Sequence, residues 1–196
     1  MPTNSPSQLS TDHLTMHGVF VDVLGTGVLL SGRSGIGKSE LALGLINRGH
    51  RLIADDSVLF HREAGKDRII GHCPPVLQDF LEVRGLGILN IRVMFGDTAI
   101  KENKLLQLIV NIIQVNQDSL YRIDRLHGMH GERELLGLEI PEVSIPVAPG
   151  RNLSILVEGA VRNHVLKQTG YQASQDFTER HKAFMKQTSE KNDNAC

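Results

Sequence analysis

Eight consecutive residues, Gly32-Arg33-Ser34-Gly35-Ile36-Gly37-Lys38-Ser39, satisfy the pattern G-x-x-x-x-G-K-[ST] without a gap, and no other stretch constrains the fold as strongly. The pattern has physical meaning only where a strand runs into a helix. That setting is present: the apolar run Val28-Leu29-Leu30 precedes it, and Glu40-Leu41-Ala42-Leu43-Gly44-Leu45-Ile46 follows with helix-forming residues. Glycines at 32, 35 and 37 allow the backbone to turn its N–H groups inward, and a helix starting near Lys38 adds the positive end of its dipole at the same spot. A polyphosphate fits such a cradle. Lys38 would neutralise the terminal phosphates, and the Ser39 hydroxyl is placed to coordinate a magnesium ion bridging them. The plainer alternative is a glycine-rich turn before an ordinary helix; the strand and helix setting favours the phosphate loop.

The helix should end near Arg48-Gly49, where a basic residue and a glycine stand in the order expected of a C-terminus. His50 to Ala54 then reads as a strand that delivers Asp55-Asp56 at its carboxyl end, the edge of an open α/β sheet where ligands bind. One carboxylate of such a pair can hold or orient the metal while the other accepts a proton from a hydroxyl nucleophile. Adjacent acids also raise each other's pKa, which suits a base that must later return a proton. Upstream, Val19 to Val23 and Val28 to Ser31 flank a turn at Gly25-Thr26-Gly27, so the loop is approached through a hairpin. His17 stands alone in the sequence, and spacing gives it no partner.

The chain has 196 residues, 40% of them hydrophobic, enough for one sizeable core. Three parts are expected: a mobile leader over 1–15, rich in Ser, Thr, Pro and Asn; one α/β domain over 16–178; and a terminal helix with a frayed tail over 179–196. A net charge of −1 supplies no basic field for nucleic acid, and no apolar run is long enough to span a bilayer, so a cytoplasmic protein without nucleic-acid or membrane partners is expected. The two cysteines, Cys73 and Cys196, have no metal-ligand spacing.

A second informative stretch is Leu81-Glu82-Val83-Arg84-Gly85-Leu86-Gly87-Ile88-Leu89-Asn90, where two glycines interrupt an apolar run carrying one acid and one arginine. Glu82 suits a further magnesium ligand and Arg84 a phosphate clamp, although an ion pair beside a bulged strand fits the residues equally well. Elsewhere, Val76 to Leu81 has helical spacing. Lys104 to Gln114 suits a buried strand, and Asn116 to Ser119 a loop. Pro141 to Pro149 reads as a strand, and Gly150-Arg151-Asn152 as a turn. Leu153 to Val157 has strand character, with helices over Glu158 to Gln168 and Asp176 to Lys186, the latter edged by Phe177, Phe184 and Met185.

Together these motifs resemble the HPr kinase/phosphorylase family, in its C-terminal catalytic domain. The residues that carry the resemblance are Met16 to Val19, Gly32 to Glu40, Arg48 to Asp56, Leu81 to Asn90, Asp124-Arg125-Leu126 and Ile145 to Asn152, in the family's order. The resemblance implies a P-loop kinase fold similar to the nucleotide domain of phosphoenolpyruvate carboxykinase, assembled as a hexamer. It implies an enzyme that phosphorylates a serine of HPr, the phosphocarrier of the sugar phosphotransferase system, with ATP or pyrophosphate, and that removes the phosphate by phosphorolysis, releasing pyrophosphate. By the same resemblance His17, Lys38, Asp56 and Arg125 match catalytic positions, Ser39 and Glu82 match magnesium positions, and the loop from Pro146 to Arg151 serves mainly the reverse reaction. Asp55, Arg84 and Arg151 stand as supporting residues.

Three departures qualify what is carried over. Family members usually carry an N-terminal domain, and here only the short leader precedes Met16. Arg33 stands where many members have an acid, and Ala148 where many have an arginine. The Arg125 match requires a small insertion after Tyr121, with Arg122 as the competing position. A P-loop kinase of another acceptor and an ATP-binding regulator without transfer are the alternative functions.

Overall fold

The protein is described by a computed structural model, which covers residues 13–115, 123–148 and 150–193. Its centre is a mixed sheet. Strand β1 (His13–His17) is followed by β2 (Val19–Val23) and β3 (Thr26–Gly32), then by helix α1 (Lys38–Ile46), β4 (Arg51–Ala54), β5 (Ser57–Arg62) and β6 (Ile69–His72). A separate two-stranded ribbon, β7 (Phe80–Val83) and β8 (Gly87–Asn90), leads into the short helix α2 (Ile91–Phe95). The long strand β9 (Asn103–Gln114), the hairpin strands β10 (His130–Leu135) and β11 (Leu138–Val147), and helices α3 (Leu153–Gln168) and α4 (Ala173–Asp193) complete the order.

Strand directions decide where the site lies. β3 and β11 both run parallel to β9. β2 is antiparallel to β3 and to β4, so β4 points the same way as β3. The carboxyl ends of β3, β4, β9 and β11 therefore share one edge, which is the ligand-binding edge of such sheets. The expected hairpin is present, closed more tightly than the glycines suggest: Val23 pairs with Thr26. The two turn residues, Leu24 and Gly25, both have positive φ (54° and 84°), as a type I′ turn requires.

Alternation along these strands builds a core on each face. Val28, Leu30, Leu108, Val110 and Ile112 point to the side covered by Leu41 and Leu45 of α1 and Val157 and Val161 of α3. Leu29 and Ile109 point to the other side, where Phe20, Phe60, Ile69, Leu135 and Ile140 close over them. Phe20 and Phe60 meet edge to face with ring centroids 5.3 Å apart.

Several expectations are corrected. Val76 to Leu81 is not a helix: a single 3-10 turn over Pro75–Leu77 gives way to β7, because Leu81 and Val83 alternate into the core while Phe80 and Glu82 face out. Leu153 to Val157 is the first part of α3, since the Asn152 side chain accepts from the Ile155 N–H at 3.3 Å and caps a helix that the β-branched residues had disguised. β1 reaches back to His13, inside the stretch expected to be mobile, because it pairs with β5 from His13–His61 through His17–Ser57. α4 extends beyond both expected ends, and Phe177 lies 61% exposed on it. The expected loop over 116–119, together with Tyr121, Arg122 and Pro149, falls outside the described residues.

Candidate active site

The segment that leaves β3 folds as the sequence pattern requires. Gly32, Gly35 and Gly37 all take positive φ, at 141°, 76° and 97°. At Gly32 any side chain is excluded twice over: its φ disfavours L-residues, and an added Cβ would sit 2.5 Å from the Ile112 carbonyl oxygen on the neighbouring strand. Gly37 is the N-cap of α1 and offers no side chain to bond the free N–H groups of the first turn, so these remain directed at whatever the loop encloses.

Lys38 is only 6% exposed. Its Nζ donates to the carbonyls of Gly32 (3.0 Å) and Arg33 (3.2 Å), which holds the ammonium over the loop. Burial pulls its pKa below the usual lysine value, against the opposing pull of the Asp55 and Asp56 carboxylates.

The two acids of β4's carboxyl end have different surroundings. Asp55 is buried and bridges three elements: Oδ1 accepts from the Ser39 hydroxyl of α1 at 3.0 Å, and Oδ2 accepts from the Glu82 N–H of β7 at 2.9 Å. Burial raises its pKa, partly offset by the hydrogen bonds from Glu82 and Ser39. Asp56 turns away through a left-handed backbone (φ 63°), which Asp tolerates better than most residues, and its side chain is 71% exposed. His17, at the end of β1, faces it. His17 Nδ1 lies 2.9 Å from Asp56 Oδ1 and 3.0 Å from the Asp56 carbonyl; both are acceptors, so Nδ1 carries the proton. Pairing of β1 with β5 sets this contact, because His17 lies opposite Ser57, next to Asp56 in the chain.

The β7–β8 ribbon forms the opposite wall. Its base is fixed by Asp79, which accepts from Arg92 Nε at 2.6 Å and from Arg92 Nη2 at 3.1 Å. Arg84, in the tight turn, brings its guanidinium over the phosphate loop, with a nitrogen 3.6 Å from where a Cβ on Gly35 would lie. A cleft of about 230 Å³ results, and its lining includes His17, Ser34, Lys38, Ser39, Asp55, Asp56, Glu82 and Arg84.

Ten expected site residues thus converge, these eight together with Gly35 and Gly37. Gly32, Arg33 and Ile36 do not line the cleft: the Gly32 and Arg33 carbonyls accept from Lys38, and Ile36 packs its side chain on the core. Arg125 and Arg151 are exposed and do not line the cleft; Arg125 lies in the turn where Asp124 Oδ1 accepts from the Leu126 and His127 N–H groups. Gly18, Val19 and Glu40 line it as well; they lie in the stretches that carry the family resemblance but were given no site role from the sequence. Cys73 plays no part: it is buried, and burial pushes its thiol up to about 11.

Fold and site define a class: an α/β domain with an anion-binding loop facing a carboxylate pair across a small polar cleft. Residues 7–181 match the HPr Serine kinase C-terminal domain, and the chain belongs to that family. It is 49% identical over 171 residues to the HPr kinase/phosphorylase of Chromobacterium violaceum, covering 87% of this chain and 54% of that one. It is 51% identical over 172 residues to that of Nitrosomonas europaea, covering 88% and 53%. The chain therefore spans about half the length of these relatives. The solved structure of the Hpr(Ser) kinase/phosphatase from Coxiella burnetii superimposes with a TM-score of 0.72 at 34% identity, covering 84% of this chain and 98% of that one. No helix among the described residues is long and apolar enough to cross a membrane.

Proposed function

We propose that this domain transfers the γ-phosphoryl group of ATP, or a phosphoryl group of pyrophosphate, to a serine of HPr, and reverses the modification by phosphorolysis with release of pyrophosphate. The observation that carries the reading is the placement of Asp56: exposed, oriented by His17 at 2.9 Å, and lining the same cleft as the phosphate loop. A base must reach both the incoming hydroxyl and the donor's end, and this position allows it.

In the forward direction the loop N–H groups hold the phosphate chain, and Lys38, released from the Gly32 and Arg33 carbonyls, spreads the charge of the transferring group. Asp56 takes the serine proton, and His17 keeps its carboxylate turned to the cleft. In reverse, inorganic phosphate sits in the loop where the donor's leaving phosphate had been and attacks the phosphoserine phosphorus, so that the new P–O–P bond of pyrophosphate forms as the bond to serine breaks and Asp56 returns the proton to the departing serine oxygen. Arg84 clamps phosphate oxygens from the ribbon side. By family position Arg125 is a catalytic cation that helps Lys38 spread the charge of the transferring group, and Arg151 is a supporting one.

Ser39, Asp55 and Glu82 offer only oxygen donors, the set a hard cation such as Mg²⁺ prefers, and Ser39 and Asp55 are already joined at 3.0 Å. Ser39 and Glu82 would hold the ion, with Asp55 orienting Ser39. When bound, the ion supplies charge neutralisation between the terminal phosphates. The fold is read as that of a P-loop kinase akin to the nucleotide domain of phosphoenolpyruvate carboxykinase, working in the cytoplasm as a homo-oligomer, a hexamer by family resemblance. Incubation with HPr and ATP, followed by inorganic phosphate, tests the reading: serine-phosphorylated HPr should form and then disappear with release of pyrophosphate. ATP consumption with HPr unmodified would overturn the choice of acceptor.

A further inference from the structure

A second cavity, of about 320 Å³, opens between the C-terminal half of α3 and the β9–β11 side of the sheet. It lies away from the phosphate loop: Leu108 in its floor pairs with Val28, well upstream of the Ile112–Gly32 pair where the loop begins. Its walls differ in chemistry. Leu108, Pro141 and Val143 make one side apolar, while His130 of β10 and His164 and Lys167 of α3 bring three basic groups to the other. The one carboxylate in the lining, Glu142, is neutralised by Arg133 at 2.6 Å. Lys167 has no carboxylate partner among the described residues, and its charge acts on both imidazoles, whose pKa values are lowered first by burial and then by Lys167.

With their pKa values lowered the two imidazoles are uncharged at neutral pH, and His164 Nε2 lies 3.0 Å from Gln168 Nε2, so this wall sets hydrogen-bonding nitrogens and the single positive charge of the exposed Lys167 against the apolar floor. We propose that the cavity binds a small organic anion, its carboxylate or phosphate head between Lys167 and the two histidines and its apolar body on Leu108, Pro141 and Val143. Inorganic anions lack the body and neutral aromatics lack the head, so neither class fills both walls. The proposal is independent of the reaction assigned to the first cleft.

Nuclear magnetic resonance of the full chain with labelled histidines tests it, using benzoate, phenyl phosphate, benzyl alcohol and inorganic phosphate as probes. His17 reports on the catalytic cleft and so separates binding there from binding here. The expected result is saturable movement of the His130 and His164 signals with benzoate or phenyl phosphate, at affinity about tenfold or more above that of benzyl alcohol and inorganic phosphate. Whichever of the two heads binds more tightly identifies the ligand's anionic group. Lys167→Ala should weaken binding at least about fivefold, with Lys167→Arg restoring it. Equal binding of benzyl alcohol, equal binding of inorganic phosphate, indifference to Lys167→Ala, or movement of His17 alone would each overturn the proposal.

Discussion

The Ser39 hydroxyl donates to Asp55 Oδ1 across 3.0 Å, joining the first turn of α1 to the end of β4. Because the other carboxylate oxygen accepts from the Glu82 N–H at 2.9 Å, one buried acid also fixes the ribbon that forms the far wall of the cleft. The phosphate loop, the proposed base beside Asp55 and the ribbon are thereby held in one frame.

This acid sits in its frame at a cost to stability. Burial raises the Asp55 pKa, so its ionised form opposes folding: the penalty is absent at low pH and grows as pH rises through the folded-state pKa. Asp55→Asn should remove it, since the amide can donate to Ser39 Oγ while its carbonyl accepts from Glu82. Thermal unfolding without nucleotide at neutral pH should show the variant equal to or about 2–4 °C above the native protein. The gain should shrink as pH falls and vanish below the unfolded-state value near 3.8, while magnesium-dependent ATP binding at neutral pH falls.

Gly32→Ala tests the cradle. The methyl group would meet the Ile112 carbonyl at 2.5 Å from a backbone at φ 141°, and neither strain can be relieved by a side-chain rotation. Stability should fall by about 1–3 kcal/mol, as for other strained backbone positions. ATP binding by calorimetry should be lost even where circular dichroism shows a folded domain.

A pH effect on stability is expected far from the cleft. Glu158 of α3 accepts from Arg48 Nε and Nη2, each at 2.7 Å, and lies 2.8 Å from His50 Nε2, tying α3 to the end of α1. Arg48 and then His50 hold the Glu158 carboxyl down at about 2. A depressed carboxylate stabilises the fold above its unfolded value near 4.5 and loses that contribution as pH falls toward 2. Glu158→Gln should therefore cost about 1 kcal/mol at pH 7 in urea unfolding. Near pH 2 the variant and the native protein should be equal.

The phosphate loop was legible because its signal is contiguous: each residue's role depends on near neighbours. The Asp55-Asp56 pair was legible for the same reason, one strand further on. The division of labour within that pair came only through the family resemblance, since its physical basis lies in Ser39, Glu82 and His17 arriving from three other elements. β7 escaped because a four-residue alternation beside Pro74-Pro75 is too short to outweigh helical spacing. α3 was half hidden by Ile155 and Val157, whose β-branched side chains suit strands, while the signal that decides, Asn152, is a single cap. The second cavity draws on β9, β10, β11 and α3, and no local pattern announces it.

The most direct test is transfer of labelled phosphate from ATP to the serine of HPr, comparing the native protein with Asp56→Asn at matched ATP saturation. Transfer by the native protein is expected, with a loss of about 10²–10⁴-fold in the variant and ATP affinity within about twofold. Transfer by the variant at the native rate, or ATP binding without transfer by the native protein, would contradict this reading.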